Sequence, residues 1–502
     1  MGKGRGPARH VELEHKFDVT DTTVSPSFDG LASVGRTEKL PPWALEAVYF
    51  DTPGYDLAAN RITLRRRTGG SDAGWHLKLP AAQGARTEIH APLGAGGNAT
   101  DVPEELLDTV RAIVRDRSLV PVARISTARQ VTMVYSPDGT PVAEFCDDQV
   151  TTCSLDLGDG TPRSEQTWRE WELELVDGTA EDAAAVLERL GQRLRDAGAS
   201  PAAHGSKLAK TLGQVGPPRQ PPADPVHRVV AEQVAQLVEW DRAVRSDADD
   251  AVHQMRVTIR QIRSLLQASE ADFGLTDDAS ILTELRELAS VLGTARDAEV
   301  LADRYEAALK ALPPELVRGP VHDRLVQGAW QRYHAGLNRS LKAMRSPRYF
   351  RLLDALDELV ANHTPAPDAD HPPATIESSY RRLRKAQRRA HAARDADTRA
   401  ERDDALHRIR KSAKRLRYVA AATGAAKVAQ RAKTIQTLLG EHQDSAVSRD
   451  HLLREASIAH AAGEDTFTYG LLYQQESELA RECREQLGAA LAELRRSVRR
   501  AR

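Results

Sequence analysis

Hydrophobic and polar positions alternate with two different periods along this chain. Up to about residue 213 the period is two. "VELEHKF" (11–17) sets Glu12, Glu14 and Lys16 on one face and Val11, Leu13 and Phe17 on the other, which predicts a half-buried strand. The same alternation returns in "ITLRRR", where Arg65 and Arg67 share a face. In "WHLKLP", Lys78 opposes Trp75, Leu77 and Leu79. Glu144 and Asp148 share a face in "VAEFCDD", and "WREWELELV" aligns Glu170, Glu172 and Glu174 opposite Trp171, Leu173 and Leu175. Turn signals such as "SPDGTP" separate the strands, and helical spacing predicts helices over 102–117 and 179–197.

Beyond "GPPRQPPADP" (216–225), a proline-rich linker, the period becomes helical. Two segments there repeat one arrangement. "HQMRVTIRQIR" places His253, Arg256, Arg260 and Arg263 at offsets 0, 3, 7 and 10, and "HRIRKSAKRLR" places His407, Arg410, Lys414 and Arg417 at the same offsets. On a helix these offsets fall within an arc of roughly 80°. Beside each arc runs an apolar stripe: Val252, Met255, Ile259, Ile262 and Leu266, then Leu406, Ile409, Ala413, Leu416 and Ala420. "LGTARD" (292–297) follows the first copy and "LGEHQD" (439–444) the second, each with an aspartate, Asp297 or Asp444, four residues after its glycine. A pair of helical bundles related by a pseudo-two-fold, with two basic stripes facing one groove, is the simplest architecture. "HTPAPDADHPPA" (363–374) separates the copies, and the segment 365–400, ending in "RRLRKAQRRAHAAR", could extend the groove or cover the surface.

Composition narrows the class. At 502 residues, two or three domains are expected, and no apolar run could span a bilayer. The N-terminus has no apolar signal region, and the three cysteines, Cys146, Cys153 and Cys483, have no metal-ligand spacing. A reducing cytoplasm is the expected location. The net charge of −2 divides into +5 from residue 226 onward and −7 before it, so placement rather than total charge must reveal an anion site.

The basic arcs contain no acid, unlike a solvated helix face, which mixes both signs. Arginine forks suit phosphate, and the partner should be a polyanion with closely spaced charges. Readers of single-stranded nucleic acid interleave aromatics with their cations, and neither stripe has one within its offsets, although Tyr418 follows Arg417. A polyanion without bases is favoured over nucleic acid.

The strand faces are almost purely Glu, Asp, Lys and Arg, where a solvated face would use Thr, Ser, Gln and Asn as freely. If the strands close into a barrel, these positions line its lumen, and about five acids would lie beside several bases. A divalent metal for the carboxylates and a phosphate chain for the cations would neutralise both sets. Hard oxygen donors favour Mg²⁺ or Mn²⁺.

Two resemblances follow. The H-x-x-R-x-x-x-R/K-x-x-R repeat, "LRY" at 416–418 and the LGxxxD segments resemble a CHAD domain over about 226–500. This implies two pseudo-symmetric helical bundles that bind inorganic polyphosphate through His253, Arg256, Arg260, Arg263, His407, Arg410, Lys411, Lys414 and Arg417. Arg415 is a plausible addition, and Asp297 and Asp444 would orient the cations.

"ELEHK" matches the ExExK signature of CYTH domains, the triphosphate tunnel metalloenzymes, over about 9–212. Arg65, Arg67, Lys78, Arg86, Arg129, Asp148, Glu170, Glu172 and Glu174 follow in family order, and Ser206-Lys207 resembles the closing Ser-Lys. This resemblance implies an eight-stranded antiparallel tunnel with flanking helices, so that the whole chain is a multidomain α+β protein. The expected divisions are 9–213, a linker at 214–225, and 226–500.

Lys16, Arg65, Arg67, Lys78, Arg86, Arg129 and Lys207 would hold the phosphates. Glu12, Glu14, Asp148, Glu170, Glu172 and Glu174 would hold Mg²⁺ or Mn²⁺, with Glu144 as a further candidate, and Lys16, Glu172 and Glu174 would serve catalysis. Asp148 is preferred to Asp147 because it shares the face of Glu144. Arg124 is left out of the set.

The expected activity is hydrolysis of inorganic triphosphate to diphosphate and phosphate, beside a polyphosphate-binding module, in a cytoplasmic protein that could associate with polyphosphate granules. The alternatives are a polyphosphate-binding or targeting protein with a catalytically weak tunnel, and thiamine triphosphatase or adenylate cyclase activity. A thiamine reader would need an aromatic platform at a tunnel mouth.

Overall fold

The computed structural model describes residues 8–70, 72–81, 86–94, 101–158, 160–176, 183–213, 215, 222, 225–268, 273, 275, 280–361, 375–392 and 399–501, with the side chains of 8–12, 225, 226, 268, 399, 400, 402, 403 and 422 outside the described set. Two compact units result. One comprises Met1–Ala223 with Val234–Ala251 and Arg345–Asp354, and the other Asp224–Gln233 with Val252–Met344 and Ala355–Arg502.

The strand unit contains β1 (Ala8–Glu12), β2 (Glu14–Val19), β3 (Arg36–Lys39), β4 (Trp43–Asp51), β5 (Thr63–Thr68), β6 (Gly74–Pro80), β7 (Arg86–Ala91), β8 (Val120–Tyr135), β9 (Pro141–Leu155), β10 (Pro162–Leu175) and β11 (Ser200–Pro201). All recorded pairings are antiparallel, in the order β1-β7-β6-β5-β4-β8-β9-β10-β2-β11, with β3 on β8. Only Leu13 separates β1 from β2, yet β1 pairs with β7 and β2 with β10. One continuous N-terminal strand therefore joins the two ends of the sheet, and eight staves close into a tunnel. The "SPDGTP" turn makes the β8–β9 hairpin, where Ser136 N donates to Thr140 O at 2.9 Å and Gly139 takes a φ of 87°.

The barrel turns its charged faces inward, where they share the lumen with an apolar patch, and its apolar faces outward. Its outward residues are covered by the helices α1 (Asp56–Ala59), α2 (Glu104–Val114) and α3 (Ala183–Asp196), while α4 (Lys207–Leu212) sets Leu208 against the inward-facing Ala47, Tyr49 and Ile125. α2 buries Leu106, Val110 and Val114 against Leu64, Trp75, Leu77 and Ile89. α3 buries Leu187, Leu190 and Leu194 against Phe17, Phe145, Trp171 and Leu173. Both helices lie within the spans predicted for them, and α2 is shorter at each end. Because the apolar faces point away from the lumen, the charged faces are left to line it.

The second unit is helical. The helices after the strands are α5 (Pro225–Arg245), α6 (Ala251–Ala268), α7 (Ser280–Ala311), α8 (Gly328–Met344), α9 (Pro347–Ala361), α10 (Ile376–Ala392), α11 (Arg399–Ala422), α12 (Ala426–Ala461) and α13 (Phe467–Arg500), of which α5 from Val234 and α9 up to Asp354 belong to the first unit. The predicted apolar stripe of α6 is buried throughout, and Ile409, Ala413, Leu416 and Ala420 of α11 are at most 2% exposed. α10, α11, α12 and α13 enclose one core. The far ends of α7 and α12 share another with Tyr469 and Leu472 of α13.

Candidate active site and polyanion cleft

A cavity of about 350 Å³ runs inside the barrel, and strand register explains its lining. Glu174 stands opposite Glu14 on β2 and Glu144 on β9, while Glu172 stands opposite Lys16 and Cys146. Glu170 and Arg129 both face Asp148. Four acids, Glu14, Glu144, Glu172 and Glu174, thus line one wall of the cavity. Asp148 and Glu170 are buried, and the cavity lining does not include them. The Glu12 side chain lies outside the described residues, although its backbone pairs with Arg86.

Buried cations pair with several of these acids. Arg129 grips Asp148 through Nε and Nη2 at 2.8 and 2.6 Å and reaches Glu172 at 2.5 Å. Lys16 pairs with Glu172, and with Glu14 at 2.8 Å. Burial alone would raise Glu14, but Lys16 and Lys78 hold its carboxyl at about 2. Glu172 is likewise driven well below the usual carboxylate range, as Lys16, Lys207 and Arg129 overcome its burial. Glu174 behaves oppositely. Burial raises its carboxyl against the pull of Lys78, and Glu14 and Glu172 add to the rise.

Lys207 has the most unusual setting. Its Nζ stands 2.9 Å from Asp148, 2.7 Å from Glu170 and 2.8 Å from Glu172, at the start of α4, whose Ser206 cap accepts from Ala209 N. One carboxylate oxygen from each of these acids lies within 4.8 Å of the others. Three hard oxygen donors at that spacing fit a divalent cation such as Mg²⁺ or Mn²⁺, and the Lys207 ammonium now occupies the place such a cation would take. Glu14, Glu144 and Glu174 offer further oxygens directly into the cavity.

The opposite wall is cationic. Arg65, Arg67, Lys78 and Arg86 line it, and the Nε atoms of Arg65 and Arg67 are buried with no hydrogen-bond partner among the described residues. Arg65 Nη1 lies 3.4 Å from the Tyr49 hydroxyl, Arg67 pairs with Asp72, and Arg86 Nη2 donates to Gly205 O at 2.7 Å. Burial and the nearby Arg65 and Arg129 lower the Arg67 guanidinium to about 10.

Sequence reading passed over several lining residues. Glu88, in register with Lys78, bonds His76 Nδ1 at 2.8 Å and lies 3.9 Å from Arg65. Its signal was its position two residues after Arg86, on the same face. Burial, together with Arg65 and Arg67, lowers His76 to about 4 against its bond to Glu88, so the ring is neutral at pH 7. Trp43 and Tyr49 also line the cavity, whereas Trp75 and Trp171 lie in the outer cores. Arg124 is exposed.

In the helical unit, α6 and α11 bring their basic stripes together. A cleft of about 560 Å³ is lined by Arg260, Arg263, Lys411, Lys414 and Arg415 with Arg382 of α10, and its described lining contains no acid. Burial and the charges of Arg260, Arg410, Arg417 and Arg263 depress Lys414 to about 7, so cations from both repeats converge on it. Burial, then Arg256 and Arg410, lower Arg260 as well. Arg256 and Arg263 each have a buried Nε without a partner among the described residues. Arg256 Nη1 lies 3.2 Å from Asp297, and Arg417 Nη1 donates to Gln436 at 3.1 Å. His253 and His407 are half-buried near the heads of the stripes, where burial and then Lys411 and Arg410 lower His407. Tyr418 lines the cleft beneath Lys414 and Arg417, so one aromatic does lie among these cations.

Comparison with known proteins agrees with this architecture. The CYTH domain model matches residues 11–205 and the CHAD domain model residues 228–453. The chain is 61% identical over 510 residues to uncharacterized proteins from two strains of Mycobacterium tuberculosis, covering 99% of this chain and 98% of theirs. It belongs to the family that joins an N-terminal CYTH domain to a C-terminal CHAD domain. Among solved structures, the CHAD domain from the plant Ricinus communis has 22% identity and a TM-score of 0.40, covering 53% of this chain and 90% of that one. HpAC1 from Hippeastrum, described with a dominant triphosphatase activity, has 19% identity and a TM-score of 0.25, covering 42% and 99%. No described helix is long and apolar enough to cross a membrane.

Proposed function

We propose that the tunnel is a metal-dependent inorganic triphosphatase that hydrolyses tripolyphosphate to diphosphate and phosphate, and that the helical unit binds inorganic polyphosphate. One observation carries the tunnel reading: a carboxylate wall and a guanidinium-rich wall face each other across a single cavity. A binder of anions alone would gain nothing from the acids, which repel phosphate. CYTH-domain proteins act as triphosphatases or cyclases, which supports chemistry of this class.

In this reading Arg65, Arg67, Lys78 and Arg86 bind the phosphate chain, and the buried Nε donors of Arg65 and Arg67 find acceptors in it. Glu14, Glu144 and Glu172 would hold the divalent cation from the cavity side. The buried cluster of Asp148, Glu170 and Glu172 could take one only if Lys207 withdrew. The bound ion would neutralise charge developing on the phosphoryl oxygens. Lys16 keeps Glu14 and Glu172 ionised. Glu174, with its raised carboxyl, is suited to accept a proton from water. In the cleft, Arg260, Arg263, Lys411 and Lys414 would contact polyphosphate, with Arg256, Arg410 and Arg417 behind them and the two histidines at the stripe heads.

The test is phosphate release with Mg²⁺ and with Mn²⁺ from tripolyphosphate, thiamine triphosphate, ATP and long-chain polyphosphate, for the natural chain and for Glu172→Ala. Preferential turnover of tripolyphosphate, lost in the variant with binding retained, is the expected result. Full activity of Glu172→Ala would remove that residue from the mechanism. Trp43 and Tyr49 favour a second reading, thiamine triphosphate, because they supply aromatic rings to the cavity. Faster turnover of that substrate would install it instead.

A further inference from the structure

A second basic surface of the helical unit is unaccounted for by polyphosphate binding. α10 has two cationic faces. Arg382 reaches the polyanion cleft, whereas Arg384, Arg388 and His391 line a groove of about 900 Å³ against α13. The opposite rim of that groove carries Arg484, Arg495, Arg496 and Arg499. No acid appears in its described lining.

The floor is apolar. Leu406, Ile409, Leu487 and Leu491 form the upper surface of the core shared by α10, α11 and α13. A polyphosphate chain would gain nothing from such a floor, and the described lining offers nucleic acid one phenol ring, Tyr380, and one imidazole, His391. Six arginines along two edges of an apolar trough complement a ligand that is apolar on one face and acidic on both flanks. From Arg484 to Arg499 the groove runs about 22 Å at the helical rise of 1.5 Å per residue. That length matches about four turns of helix.

Gly488 adds an independent observation. It lies in the interior of α13 and lines the groove, and a Cβ placed on it would meet nothing within 4 Å. A helix-interior glycine weakens a helix by about 1 kcal/mol relative to alanine, and no packing within the fold requires this one. Its missing side chain deepens the trough about 6 Å from the Arg484 end, as close approach of another helix would require.

We infer that this groove, between α10 and α13, docks an amphipathic helix of a partner protein whose apolar stripe is flanked by Asp and Glu. The site is distinct from the cleft on the other face of α10 and does not depend on the activity of the tunnel.

The test uses the full chain and a labelled synthetic 18-residue peptide with leucines at i, i+3, i+4 and i+7 and glutamates flanking them, followed by fluorescence anisotropy. Controls are the same residues scrambled and the same peptide with lysine in place of glutamate. The expected result is binding of the acidic amphipathic peptide at least tenfold tighter than either control. Gly488→Leu, which has open space for its side chain, should weaken that binding at least tenfold while thermal stability does not fall and polyphosphate binding stays unchanged. The double variant Arg388→Glu/Arg495→Glu should shift preference toward the lysine peptide. Equal binding of the scrambled peptide, or Gly488→Leu without effect, would overturn the proposal. So would concentration-dependent self-association abolished by Gly488→Leu, since the occupant would then be a second copy of this chain.

Discussion

Arg410 lies across Gly440. A Cβ on that glycine would stand 3.2 Å from Arg410 Nη2, and Gly293 has the same relation, at the same distance, to Arg256. The glycine of each LGxxxD segment therefore makes room for the leading arginine of the facing basic stripe. Gly440→Ala should displace Arg410 and weaken polyphosphate binding severalfold. The fold should not lose stability, because alanine favours a helix interior by about 1 kcal/mol over glycine. Titration with polyphosphate beside thermal unfolding checks this, and unchanged affinity would show that Arg410 does not need its present position.

Lys414 gives the cleft a pH dependence. Its amine is depressed to about 7 by burial and by Arg260, Arg410, Arg417 and Arg263. Between about pH 7 and the ordinary lysine range, the unfolded chain binds a proton there that the folded chain does not. Stability contributed through this residue should therefore rise with pH across that window. Polyphosphate reverses the repulsion, so binding at pH 8.5 should take up a proton and binding at pH 6 should not. Calorimetry in buffers of different ionisation enthalpy measures the uptake, and Lys414→Met should abolish it.

Lys207 balances three buried carboxylates. Removing it in Lys207→Met should destabilise the strand unit by about 3–5 kcal/mol, the range for stranding buried charge. Adding Mg²⁺ or Mn²⁺ should recover much of the lost melting temperature in the variant and change the natural chain less. A variant as stable as the natural chain without metal would mean that the carboxylates can share protons instead.

Glu174 should set the acid limb of the activity. With its carboxyl raised above the usual range by burial, phosphate release should increase as pH rises through that raised value. Glu174→Gln should lower turnover by about two to four orders of magnitude, the range for a general base, and flatten this limb. A steep acid limb persisting in the variant would assign it to another group.

The two-layer character of each half was legible because residue period survives any tertiary arrangement. Phe17, Trp171 and Leu173 had to face apolar matter, which sent Lys16 and Glu172 the other way. The stripe of Met255, Ile259 and Ile262 fixed α6 in the same manner. What period cannot supply is register. Asp148 and Glu174 share an inward parity, yet Asp148 is sealed beneath Arg129 and Lys207 while Glu174 meets the cavity, because β9 and β10 are long enough to carry both depths. Nor could composition distinguish the two faces of α10, whose arginines read as one run. Trp43 begins a strand far from any charged motif, and only closure of the barrel places it on the lining.

The closing stave has a consequence for how the protein is made. Glu14 and its cross-strand neighbour Glu174 are separated by about 160 residues, and β2 finds β10 only after every intervening strand exists. Pairings of such long range form slowly. On the ribosome the first strand must wait, exposed, until the last has emerged, so the lumen matures late and all at once. The helical half, assembled mainly from neighbours in sequence, has no such delay.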